Sequence, residues 1–174
     1  MLNQETVLNQ ETVLNPETEY FVTDVGWNYP IGLPVYRAVE VLNLTSDQIC
    51  PLPAVHPALL GVIGWRGQLL WTIALDSWLG IPQEDSPLVG QPSRPVLVLS
   101  ETSLGRNLAC LVKKLHGIET IALEDLDPLP PEIPPLMQPY LRGKVQDSNL
   151  LVLDDRQLFQ PEHWAINLRR DGQV

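Results

Sequence analysis

Short apolar runs, broken every few positions by proline, glycine or acid, set the rhythm of this chain. Tyr20-Phe21-Val22-Thr23-Asp24-Val25 reads as a strand, and Gly26 to Pro30 supplies the turn that ends it. Ile31 to Tyr36 predicts a second strand, interrupted by Pro34, and Val39-Glu40-Val41-Leu42 a third. Ile49 to Pro53 is an extended connector, because residues before proline avoid the helical region. Pro57 to Leu60 predicts one helical turn. Gly61 to Gly67, followed by Gln68 to Leu75, predicts a hairpin with Arg66-Gly67 at its turn, where glycine takes a positive φ at little cost. Asp76 to Leu79 predicts a short helix stopped by Gly80.

Pro82 to Pro95, rich in proline, serine and acid, reads as a loop. Beyond it, Val96-Leu97-Val98-Leu99 is an unbroken apolar run, the mark of a strand covered on both faces. Asn107 to Val112, Leu115 to Leu123, Tyr140 to Gln146 and Leu150 to Leu153 are further strands. Asp127 to Pro139 is the stretch densest in proline and predicts a surface loop. Asp154 is an N-cap for a short helix over Asp155 to Phe159. Many short strands with turn chemistry between them predict an all-β sandwich or barrels. The rhythm divides near residues 81–95 into two sets of about five strands.

Both ends differ from this pattern. Leu2 to Val7 recurs as Leu8 to Val13, with a decayed third copy from Leu14 to Glu19. A six-residue period matches neither a helix nor a solenoid unit. Residues 1–18 therefore read as a disordered repeat tail, with 19–159 as the folded domain and 160–174 as a C-terminal tail carrying Trp164 and Ile166.

Composition narrows the function. The chain has 174 residues, 44% hydrophobic, enough to fill an interior, and 17 prolines, which disfavour long helices. A formal net charge of −10 repels nucleic-acid phosphates and anionic lipid headgroups, and the pairs Lys113-Lys114 and Arg169-Arg170 are too small to reverse it. Cys50 and Cys110 form no CxxC pair and read as buried, reduced thiols. The first residues lack a signal-peptide pattern, and no apolar run reaches the roughly 18–20 residues that span a bilayer. The expectation is a cytoplasmic protein with no membrane insertion.

Few residue patterns promise catalysis. His56, His116 and His163 lie in separate segments without metal-ligand spacing, and no GxSxG elbow anchors a nucleophilic serine. Gly61, Gly64 and Gly67 recur every third position but lack the lysine of a phosphate loop. Glu124, Asp125, Asp127 and Glu132 read as a solvated loop face, with a carboxylate-pair hydrolase in the Asp125–Glu132 loop as the enzymatic alternative. The expectation is no enzyme, no metal and no cofactor. Of five tryptophans, Trp65 and Trp71 flank Arg66 on the hairpin, and aromatic residues and arginine are the types most enriched in interface hot spots. A β-barrel module binding single-stranded nucleic acid or another ligand would need a basic groove, which the charge disfavours.

An ordered series of motifs resembles the CheW family of chemotaxis coupling proteins. Gly61-Val62-Ile63-Gly64-Trp65-Arg66-Gly67-Gln68-Leu69-Leu70 is similar to its signature of glycine, two apolar residues, asparagine, any residue, Arg-Gly and an apolar strand. Pro34 to Val41, Pro51 to Pro53, Leu111 to Ile118, Tyr140 to Val145 and Leu150 to Leu158 resemble further family elements in the same order, over about residues 19–159. Gly64 departs from the usual asparagine, Trp71 from proline, Ala74 from a polar residue and Lys113 from aspartate. The resemblance implies two intertwined five-stranded SH3-like barrels with short helices, a shared core and no catalysis. It implies an adaptor between a methyl-accepting chemoreceptor and the regulatory domain of a CheA-type histidine kinase, in chemotaxis, phototaxis or type IV pilus-based motility. Carried over by motif, Arg66 faces the receptor groove with Glu40 as its acidic neighbour, while Gly61, Val62, Trp65 and Gly67 shape the surface beside it; a purely structural Glu40–Arg66 salt bridge is the alternative.

Overall fold

The computed structural model describes residues 17–53, 56–82 and 93–160. Eleven strands among these residues form two sheets, joined by two single-turn helices and short 3-10 segments. In chain order the strands are β1 (Glu17–Asp24), β2 (Ile31–Pro34), β3 (Ala38–Leu44), β4 (Leu59–Trp65), β5 (Gln68–Ala74), β6 (Arg94–Glu101), β7 (Arg106–Leu111), β8 (Lys114–Ala122), β9 (Leu126–Asp127), β10 (Leu141–Val145) and β11 (Leu151–Leu153). Helix α1 (Leu75–Trp78) follows β5, and α2 (Asp155–Leu158) follows β11.

One sheet has six strands in the order β8-β1-β2-β11-β10-β9, and the other five in the order β3-β6-β7-β5-β4. The five-stranded sheet is thus a continuous stretch of chain set between the first two and the last four strands of its neighbour. The parallel pairing of β2 with β11, Ile31 opposite Leu151, closes the six-stranded sheet over this insertion. The 81–95 segment joins β5 to β6 inside one sheet, so the rhythm seen in the sequence is not the boundary between the sheets.

Three apolar clusters hold the sheets together. Along β6, side chains alternate between two of them: Val96 and Val98 point into a cluster with Leu44, Ile63, Leu70 and Leu111, while Leu97 and Leu99 point into the largest, with Ile31, Leu33, Ile73 and Leu151. A third gathers Tyr20, Ile121, Leu150 and Val152 under the six-stranded sheet. Each sheet wraps one private cluster and shares the largest, which is the common core expected of intertwined barrels. The run Val96 to Leu99 is continuous because both faces of β6 are buried.

Several local readings shift. The strand read from Tyr20 begins at Glu17, because β8 pairs with β1 as far as Glu17 opposite Ala122. Residues 57–60 make no helical turn: the chain turns through Pro57 and Ala58 and enters β4 at Leu59, and Ala58 is drawn into the sheet by the bond from Ala74 N to its carbonyl. After Pro34 the strand gives way to a 3-10 turn over Val35–Arg37. The proline-dense stretch is a surface loop only in part, since Ile133 and Met137 are each 1% exposed and anchor it to the main core. Asp154 does cap α2, accepting from Arg156 N. The Leu2–Val13 repeat, His163, Trp164, Ile166 and Arg169-Arg170 lie outside the described residues.

Candidate functional site

The predicted hairpin is present, with Trp65 opposite Gln68 across a two-residue turn. Both turn residues have positive φ, 47° at Arg66 and 77° at Gly67, the combination that matches the twist of the flanking strands. Glycine takes this conformation freely, whereas a non-glycine residue held there costs about 1 kcal/mol. The strain sets the arginine at the outermost point of the turn, where its side chain is 63% exposed.

β3 and β4 are the two edges of the five-stranded sheet, and its curl brings them together at Glu40. One carboxylate oxygen, Oε2, accepts from Arg66 Nη2 at 3.0 Å and from the Trp65 indole Nε1 at 2.9 Å. The Arg66 guanidinium also lies over the Trp65 ring, 4.8 Å from its centroid. Glu40 alternates in register with Ala38 and Leu42 on β3, so the strand period aims it at the barrel's seam rather than outward.

Gly61 and Val62 play different parts. Gly61 has a φ of 144°, and a Cβ there would fall 2.1 Å from the carbonyl oxygen of Cys50. The glycine allows the extended connector to lie against β4, where Cys50 and Val62 exchange backbone hydrogen bonds in both directions at 2.9 Å. Val62 faces outward opposite Trp71, and Gly64 lies opposite Leu69. Leu69 is 74% exposed and Trp71 45%, so an apolar strip leads up to the arginine. Leu69 is absent from the sequence-derived site, although period-two alternation from Trp71 places it on the same face. Cys50, read as buried, is exposed, while Cys110 is fully buried and burial pushes its thiol pKa well up.

The other candidates do not converge. His56 Nδ1 accepts from Ala58 N within its own turn, and His116 stands on edge strand β8. Among the described residues no three His, Cys, Asp or Glu side chains are grouped to hold a metal ion. In the acidic loop, Glu132 is bound by the Tyr29 hydroxyl, which holds its pKa below the usual carboxylate range, and Asp127 accepts from Gln146 on the far side of the loop.

A second arginine–carboxylate assembly, absent from the site read from the sequence, lies where the two sheets meet. Asp155, at the start of α2, accepts from Arg37 Nε at 2.6 Å, from the Tyr36 hydroxyl at 3.0 Å and from Arg142 Nη2 at 3.2 Å. Arg37 also pairs with Glu101 on β6. Burial works against the Arg37 charge, but the bond and charge of Asp155 together with Glu101 outweigh it and raise its pKa.

A sequence profile described as the CheW-like domain matches residues 9–163. Among solved structures, the chain is similar to the scaffolding protein TtCheW from Thermoanaerobacter tengcongensis, at 18% identity and a TM-score of 0.63, over 78% of this chain and 88% of that one. No curated protein matches the sequence.

Proposed function

The chain belongs to the CheW-like domain family, and from that premise we propose that it is a non-enzymatic cytoplasmic adaptor coupling a methyl-accepting chemoreceptor to the regulatory domain of a CheA-type histidine kinase, in chemotaxis, phototaxis or type IV pilus-based motility. Its receptor-docking site is the hairpin turn: Arg66 supplies the charge, Glu40 and Trp65 steady it, Gly61 and Gly67 shape the backbone, and Val62, joined by Leu69 and Trp71, supplies apolar contact. The observation that carries this reading is an arginine turned outward on a strained turn yet latched to a neighbouring strand. An ion pair as exposed as this one contributes only about 0–1 kcal/mol to stability, so folding alone gives little reason for it. Among the described residues no helix is long and apolar enough to cross a membrane. An adaptor of this kind meets its receptor through the receptor's own signalling end.

The test is reconstitution. The purified chain is mixed with a chemoreceptor signalling fragment and the kinase that accompany it in the same cell, and receptor-dependent kinase activity is measured. Arg66→Glu is expected to abolish coupling while the circular dichroism spectrum and urea midpoint stay unchanged. Full coupling by that folded variant removes the docking site from the hairpin.

A further inference from the structure

We infer that Trp65 is a positioning residue of the docking site: it sets the direction from which Arg66 meets a partner, by holding both Arg66 and Glu40. This rests on the adaptor reading above. An arginine on a two-residue turn that is 63% exposed has many rotamers open to it, and fixing such a side chain costs conformational entropy. Here two contacts fix it in complementary ways. The Trp65 ring, 4.8 Å from the guanidinium carbon, sets the plane of the group. Glu40 Oε2, at 3.0 Å from Nη2, sets its rotation within that plane.

Glu40 is in turn located by the same tryptophan. The indole N–H donates to Oε2 at 2.9 Å, so Glu40 keeps a fixed partner even when Arg66 engages something else. Trp65 can do this because it is itself held: half-buried, it packs on the cluster of Ile63, Leu70 and Val98 beside Leu42 and Leu60. One side chain rooted in the barrel therefore holds both members of the ion pair. Pre-organisation of this sort reduces the ordering cost of binding rather than adding a contact.

The experiment is a double-mutant cycle on the full-length chain, read as affinity for the receptor signalling fragment, with urea unfolding of each variant alongside. Trp65→Leu is expected to weaken binding about tenfold in the wild-type background and to have no further effect in an Arg66→Ala background. Trp65→Phe, which keeps a ring but loses the donor, is expected to fall between wild type and Trp65→Leu. The indole N–H proton resonance of Trp65 is expected to move upfield in Glu40→Gln, a readout that needs no partner. Equal weakening by Trp65→Leu with and without Arg66 makes the tryptophan a direct contact or a mere core residue and overturns the inference alone. Undiminished binding by Arg66→Ala overturns the docking-site reading itself, and the inference with it.

Discussion

Two of the arginine–carboxylate assemblies among the described residues are built from the same kinds of side chain in opposite settings. Around Asp155, whose side chain is 2% exposed, Arg37 and Arg142 are themselves largely covered and the bonds join α2, β10 and the turn before β3, with Glu101 of β6 reached through Arg37. Around Glu40 the arginine stands mostly in water and the bonds join only the hairpin tip to β3. A buried carboxylate with three donors is costly to disturb, because each donor left behind is an uncompensated charge or polar group. An exposed pair costs little to disturb, and here it is the Trp65 indole that holds both members. The first assembly staples the two sheets; the second faces outward.

That contrast can be broken by measurement. The largest effect is expected at the staple: Asp155→Ala should lower unfolding free energy by roughly 3–5 kcal/mol in urea titration, since it removes the carboxylate that Arg37 and Arg142 share and leaves them only Glu101 and Asp154. A loss below about 1 kcal/mol would place this assembly with the exposed one. Next is Gly61→Ala, expected to cost about 2–3 kcal/mol, because the added methyl meets the Cys50 backbone at a positive φ. The proposed docking surface lies on the same strand, so receptor binding should fall along with stability.

Alkaline titration sharpens the picture of the covered side. Tyr20, buried under the six-stranded sheet, has its pKa pushed from 10.0 up to about 12, and Tyr36, beside Asp155, is also raised, in each case mainly by burial. A folded-state value above the unfolded one means the stabilisation is intact below pH 10 and is lost as pH rises through the folded value. Stability measured in urea should therefore fall between pH 10 and about 12. Tyr20→Phe should flatten that fall, and an unchanged slope would show that Tyr20 titrates as a surface tyrosine. The smallest stability effect is expected at the exposed pair: Arg66→Ala should shift unfolding by no more than about 0.5–1 kcal/mol while weakening receptor binding well beyond tenfold.

Much of this was legible in the residues. Gly67 between two apolar runs announced the turn, because glycine takes a positive φ freely, while the positive φ at Arg66 was not legible. The unbroken run at Val96 announced a strand covered on both faces. The partners of the strands were not legible: the pairing of β2 with β11, or of β1 with β8, depends on contacts between distant segments that leave no local period. Ile133 and Met137 were hidden among prolines, whose density signals a loop but not that its apolar residues are anchors. Glu40 was found through its motif, whereas Asp155, though inside the Leu150 to Leu158 element, carries no sign of its role until Arg37 and Arg142 converge on it.

The nested order of the sheets also bears on synthesis. As the chain leaves the ribosome, β1 and β2 emerge first and can pair only with each other. The five-stranded sheet, β3 to β7, is complete in itself and can close while the C-terminal strands are still being made. Only when β8 and β11 arrive can the earliest strands be captured, so until then Tyr20, Ile31 and Leu33 wait with their apolar faces uncovered. Such long-range closure is slow and leaves a nascent intermediate open to aggregation. A chain shortened before β11 would therefore still hold β8 against β1 and β2, but it would lose the pairing of β2 with β11 and the cover that Leu151 and Leu153 give the shared core.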